Sequence, residues 1–250
     1  MTKYMTLIYK EFLISKRRLA TFILSIGMPV AFFLLFSGLW TSDTSMSARQ
    51  VVLLTRRYLF SMTAYSILSF VLFSLPQNIH EDRKENRIRL LAFSNVSIYD
   101  YYVVKFIRTL CYFLISMTIV FSVGHIFRGV DLSLIDWLSE GTILLVSALS
   151  LIPLGLLLSY IKSSETISLV SNILYMGLGV LGGLWFPVEM FPAWLQEMSK
   201  ITPSYHINAI LIAHFEKSSI SSSVGILVFY FVMVSVILAV VFKRIGYKWS

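Results

Sequence analysis

The chain has 250 residues, of which 57% are hydrophobic and only 14% charged, against roughly a quarter charged in an ordinary soluble domain. So few charges cannot cover a water-facing surface, which excludes a soluble globular domain of this size. The formal net charge of +8 has no folded basic face behind it of the kind that grips nucleic acid, so no nucleic-acid partner is expected.

Residues 2–18 open the chain with Tyr4, Ile8 and Phe12 at every fourth position, while Lys3, Lys10 and Arg17 share another face at seven-residue spacing. With Arg18 behind them, these residues predict an amphipathic helix lying in the membrane interface. It reads equally as a topology anchor or as a contact for another protein. Six uncharged runs follow, at about residues 19–40, 58–75, 109–127, 141–161, 166–186 and 224–242. Each is long enough to cross a hydrocarbon core of about 30 Å as a helix, and the first is too long for a signal-peptide core, so it reads as an uncleaved span. The expected fold is therefore all-α, a single polytopic membrane unit over residues 1–250. The bias of Lys and Arg, fifteen against six, puts both termini in the cytoplasm.

Within that frame Pro29 predicts a kink in span one, and Pro153 with Gly155 another in span four. Span two closes near Pro76. The longest polar interruption comes next, Gln77 to Lys105, with seven charged residues at Glu81, Asp82, Arg83, Lys84, Glu85, Arg87 and Arg89. Glu81, Glu85 and Arg89 recur at i, i+4, so the segment is expected to stay helical outside the bilayer. Ser97 followed three residues later by Asp100 reads as a capping box that restarts a helix into span three. A charged knob made of helix, tight turn and helix is the predicted result.

In span five, Gly179 and Gly183 stand one turn apart, the small-xxx-small spacing that lets helix backbones approach. It serves internal packing or contact with a second subunit. Pro192 and Pro203 then bracket a short amphipathic helix carrying Trp194 and Leu195, on the outer surface or partly re-entrant. Cys111 is a lone cysteine and makes no internal disulfide.

Catalytic chemistry is hard to find. No Gly-x-x-x-x-Gly-Lys-Ser/Thr phosphate loop occurs, and His80, His125, His206 and His214 are scattered. Asp131, Asp136 and Glu140 lack the histidine or spacing of a metal site. With no catalytic constellation and no energy source of its own, the chain reads as a bundle moved by another protein.

The order of three parts resembles the membrane subunits of type 2 ATP-binding-cassette (ABC) exporters. They are the basic lead-in Lys10-Glu11-Phe12 to Arg17-Arg18; the run Glu81 to Leu91 followed by Ser97 to Lys105; and Gly182-Gly183-Leu-Trp-Phe-Pro187 to Phe191-Pro192-Ala-Trp194-Leu195, then Pro203. The resemblance implies that the lead-in is a connecting helix and that Glu81 to Arg89 forms a coupling helix seated on a nucleotide-binding subunit. It also implies that Pro187, Glu189, Pro192 and Trp194 belong to short outer helices capping the pathway. Two permease subunits, identical or paralogous, would work in the bilayer with ATPase subunits that hold ATP and magnesium, so this chain carries no cofactor and no catalytic residue. One departure is that Asn86-Arg87 stands where members of the family often have glycine after the acidic run. Export of a drug, an antimicrobial peptide or an amphipathic, lipid-like molecule is the expected activity, with Ser69, Asn172 and Tyr175 along its path. The alternatives are a secondary carrier, which would need a midplane polar site, and a membrane-embedded hydrolase using His206 or His214.

Overall fold

The computed structural model describes the whole chain except residues 1–2, 17–18, 42–45, 92, 94–95, 217–219 and 247–250. The described residues form helices and no strand: α1 (Lys3–Lys16), α2 (Leu19–Thr41), α3 (Ala48–Ser69), a π-helical turn (Phe70–Ser74), α4 (Leu75–Lys84), α5 (Arg87–Leu91), α6 (Ile98–Arg128), α7 (Leu134–Leu149), α8 (Ile152–Leu158), α9 (Ser164–Leu181), a 3₁₀ turn (Val188–Met190), α10 (Ala193–Ser199), α11 (Pro203–Glu216) and α12 (Ser221–Gly246). Six segments are long and apolar enough to cross a membrane. Their even number returns the chain to the face from which it started, called here the terminal face.

Span two is the axis of the bundle. From Tyr58 to Leu72 every residue is buried; spans one, three, four and five pack against it, while span six packs on α8 and α11. Lipid tails are as apolar as leucine, so burial of apolar surface gives helices little reason to associate in a bilayer; close approach and hydrogen bonds must do it. Both are present. Ser66 and Ser116 hydroxyls meet at 2.7 Å between α3 and α6, and a Cβ on Gly124 would fall 2.7 Å from Leu59 Cδ1. Ser61 Oγ donates to Asn208 Oδ1 of α11 at 2.8 Å.

Pro76 does not end this helix. It has no N–H to offer the Leu72 carbonyl four residues back, and its ring crowds that carbonyl. The backbone widens into the π turn Phe70–Ser74, and the Ser171 hydroxyl of α9 donates to Leu72 O in place of the missing amide. Helix then continues to Lys84, giving a segment of 37 residues. At about 1.5 Å per residue it is roughly 55 Å long, well beyond a core of about 30 Å, so α4 leaves the apolar layer at the terminal face. Span four does break, between Leu149 and Ile152, with Pro153 in the first turn of α8.

Spans two, three and four each begin with a capping box: Ser47 with Gln50, Ser97 with Asp100, and Ser133 with Asp136. On the opposite face α10 lies over the bundle, and α11, 14 residues and too short to cross, is buried through Ser204, Ile207, Asn208 and Leu211.

Candidate functional site

At the terminal face, where α4 emerges, six charged side chains interlock. Lys105 of α6 is 2% exposed. Its Nζ lies 2.7 Å from Glu11 Oε1 of α1 and 2.5 Å from Asp82 Oδ2 of α4, and it also donates to Asn78 Oδ1. Tyr101 Oη donates to Asp82 Oδ2 at 2.8 Å. Arg87 of α5 reaches Asp82 Oδ1 at 3.1 Å and also pairs with Glu85. Arg108 Nη1 holds Glu11 Oε2 at 3.2 Å. Three carboxylates thus face three cations, which is what makes burial tolerable: a buried charge costs several kcal/mol unless paired and hydrogen-bonded.

The arrangement ties four elements together. Glu11 fastens the lead-in helix, Asn78 and Asp82 the end of span two, Arg87 the short helix beyond it, and Tyr101, Lys105 and Arg108 the start of span three. Next to it Arg83 turns back on the span four–five corner, donating to Ser159 O at 2.7 Å and lying 4.0 Å from the centroid of the Tyr160 ring. Burial, with Tyr102 beside it, pushes the Tyr160 phenol above its ordinary range against the pull of Arg83, so it stays neutral under the guanidinium.

The predicted knob of helix, tight turn and helix has a turn within the charged run itself. The α4 helix ends at Lys84, Glu85 caps it, and Asn86 sits at φ 56° before α5 begins. Asparagine is the residue other than glycine that most readily takes this left-handed conformation, so Asn86 does here what glycine would do. Beyond the bend, Glu85 pairs with Arg87 of α5. Of the seven charges, Asp82 points inward and is 2% exposed. Arg83 and Arg87 are turned onto neighbours, Glu81 is half-buried, and Lys84 and Glu85 are exposed. Leu90 and Phe93, 62% and 90% exposed, complete the tip. These two apolar residues, together with Glu11, Asn78, Tyr101, Lys105 and Arg108, are what sequence reasoning missed. On α1, Lys10 and Phe12 are exposed; Arg17, Arg18 and the Arg89 side chain lie outside the described residues.

Along the bundle, Ser69 and Tyr175 come together in the interior, with the Ser69 side chain within reach of the Tyr175 hydroxyl, while Asn172 lies on the exposed side of α9. On the face opposite the termini, Pro187 and Glu189 line a cavity of about 330 Å³ with Arg57, Tyr58, Tyr205 and Asn208. Arg57 and Glu189 pair across it at 3.7 Å. Pro192 caps α10, and Trp194 is 65% exposed beside it. Gly179 and Gly183 serve internal packing. A Cβ on Gly179 would lie 2.6 Å from Tyr65 Cε2, and Gly183, already past the end of α9, turns at φ +69° against Val188. His206 is pinned between elements, its Nε2 donating to Lys200 O at 2.8 Å and its Nδ1 3.2 Å from Ser223 Oγ.

The comparisons with known proteins agree with this architecture. The profile described as ABC-2 family transporter protein matches residues 44–243. YvfS of Bacillus subtilis (strain 168), which bears the name of a transport permease, is 27% identical over 185 residues, covering 74% of each chain. An all-helical chain with six spans, matched over most of its length, thus belongs to the ABC-2 family of transporter proteins and is a multi-pass membrane permease component.

Proposed function

We propose that the chain is the membrane-spanning subunit of an ATP-driven exporter whose nucleotide-binding subunit is a separate protein docking on the elbow between spans two and three. The observation that carries this reading is the build of that elbow. A stalk of helix leaves the apolar layer, is fastened on its inner side by Asp82 and Asn78 to Lys105, and turns at Asn86 to present Lys84, Glu85, Leu90 and Phe93 outward. A push on the tip is passed to α4, α6 and α1 together, because the buried charges leave those helices little freedom to slip. Mixed charges around exposed apolar residues are also the composition of a protein-docking patch.

The terminal face is then cytoplasmic, in line with the excess of Lys and Arg there. ATP and magnesium are held by the partner, this chain is not itself an enzyme, and a second permease subunit, identical or paralogous, completes the transporter. Ser69 and Tyr175 flank the path, and the outer cavity under Pro187 and Glu189 is its exit. The cargo is a drug, an antimicrobial peptide or an amphipathic, lipid-like molecule.

The test separates the tip from its anchor. A Lys84→Glu, Phe93→Ser double variant, at two exposed positions outside the buried charges, is expected to leave expression and the bundle intact while abolishing ATP-dependent transport. A Walker-A ATPase should co-purify with the wild type and be lost from the variant. Transport at the wild-type rate in that variant would remove the coupling role. ATP hydrolysis by the purified chain alone would remove the division of labour.

A further inference from the structure

Arg56 and Arg57 are neighbours near the start of α3, and the fold treats them differently. Arg56 Nη2 is held by Asp136 Oδ2 at 3.0 Å, and its guanidinium lies 5.9 Å from the centroid of the Phe60 ring. Arg57 instead lines the cavity of about 330 Å³ on the face opposite the termini. Its side chain is 28% exposed, and its acidic partner, Glu189 Oε1, stays 3.7 Å away, beyond hydrogen-bond reach at about 2.7–3.2 Å. The fork of donors that would grip a carboxylate or phosphate through two parallel bonds is therefore unfilled.

The rest of the polar wall is engaged. Tyr58 Oη donates to Trp185 O at 3.0 Å, Ser61 Oγ to Asn208 Oδ1 at 2.8 Å and Asn208 Nδ2 to Gly183 O at 2.9 Å. These bonds fix α3, α11 and the end of α9 around the arginine, while Leu54, Val188 and Ile212 supply an apolar side. The volume falls within the range of about 300–1,000 Å³ usual for small-molecule sites. Among the described residues the lining carries one cation and one carboxylate, and that carboxylate sits at the rim. The Glu189 side chain is 72% exposed, on the 3₁₀ turn Val188–Met190 between Pro187 and Pro192. An ion pair so exposed is weak, so an incoming anion can take the place of Glu189 at Arg57.

We propose that this cavity binds a monoanionic amphipath, with Arg57 as the anchor for its carboxylate or phosphate head and Glu189 as a built-in competitor that occupies the anchor until displaced. The apolar body lies against Leu54, Val188 and Ile212. One cation admits one negative charge, and a second would meet Glu189. The inference rests on the export reading only where it calls the occupant cargo, and it narrows that cargo to the anionic, lipid-like class.

The test measures binding to the full chain in phosphatidylcholine nanodiscs, with empty discs as the blank and without ATP or a partner, so its outcome does not depend on export. Dodecanoate, ionised by the buffer, is compared with dodecanol, which has the same tail and no charge. Dodecanoate is expected to bind saturably and about ten- to a hundredfold more tightly than dodecanol, with a loss of the same size in Arg57→Gln. Glu189→Gln removes the competitor, so affinity should rise about two- to fivefold, whereas a residue that only propped the turn would lower it or leave it unchanged. That variant, at an exposed position, carries the test if Arg57→Gln fails to reach the membrane. Equal affinity for the two probes, full binding in Arg57→Gln, or no gain in Glu189→Gln overturns the site. Discs doped with phosphatidylglycerol separate the sources of the head: unchanged dodecanoate affinity is expected for a free amphipath, and competition assigns the site to a membrane lipid headgroup. Binding as expected while the chain and its ATPase move no dodecanoate would overturn the amphipath as cargo and leave the site standing.

Discussion

Removing the Lys105 ammonium is the most direct way to ask whether the buried charges hold the elbow together. In Lys105→Met the stem is largely replaced, so little volume is lost, but Glu11 Oε1 and Asp82 Oδ2 lose the cation at 2.7 and 2.5 Å. Each carboxylate keeps a second partner, Arg108 at 3.2 Å and Arg87 at 3.1 Å. The cost should therefore fall toward the lower end of the range of about 3–5 kcal/mol for breaking a buried pair. At about 2–4 °C per kcal/mol for a chain of this size, the melting temperature in nanodiscs, followed by tryptophan fluorescence, drops by about 6–12 °C. Adding Asp82→Asn restores the charge balance, so the double variant should melt above Lys105→Met alone, with a coupling of about 1–3 kcal/mol. Limited proteolysis supplies a second readout, since α1 rests chiefly on α6 and is cut faster once Glu11 is released. A shift below about 2 °C, or strictly additive effects, would refute the reasoning, because the charges would then be solvated and only loosely paired.

Three further outcomes follow from single features of the backbone and packing. At Asn86, φ 56° makes Asn86→Gly neutral to slightly stabilising, whereas Asn86→Val costs about 1–2 kcal/mol and lowers coupled ATPase activity with it; equal melting of the two variants would argue against the bend. Among the glycines of α9, Gly179→Ala should destabilise by about 1–3 kcal/mol through overpacking against Tyr65, while Gly177→Ala, with open space around it, should gain up to about 1 kcal/mol from helix propensity. Thermal melting of the pair gives the sign directly. Ser171→Ala orphans the Leu72 carbonyl at the π turn at a cost of about 1–3 kcal/mol, and Pro76→Ala should lift that cost by returning an amide; hydrogen exchange at residue 76 in the rescued variant checks that the new N–H is bonded.

What the sequence made legible is what depends on near neighbours in the chain. Six apolar runs fix six spans because the bilayer thickness sets a length that composition alone can meet, and the Ser97–Asp100 box is read correctly because both its bonds lie within four residues. Asp82 was not legible for the opposite reason. In the chain it is one of seven charges in nine positions, and nothing local tells it from Glu81 or Glu85. Its inward direction is set by the helical phase that α4 inherits through the π turn. That phase depends on Pro76 and on a hydroxyl from Ser171, 99 positions beyond the carbonyl it binds. A signal did exist in the partner helix: Tyr101, Lys105 and Arg108 form a polar stripe at i, i+4, i+7 on a helix bound for the membrane, which asks for buried counter-charges. The lone carboxylate Glu11 amid the basic lead-in answers half of that request and Asp82 the other half. Gly183 failed in a related way. Its spacing from Gly179 suggests one helical face, but α9 stops at Leu181, so the two glycines serve different purposes, one admitting the rings of Tyr65 and Trp185 and the other a left-handed turn. In each instance the pattern in the chain was real, and its meaning was decided by an element far away in sequence. The charges that look most like surface are therefore the ones through which a movement of the elbow would reach the spans.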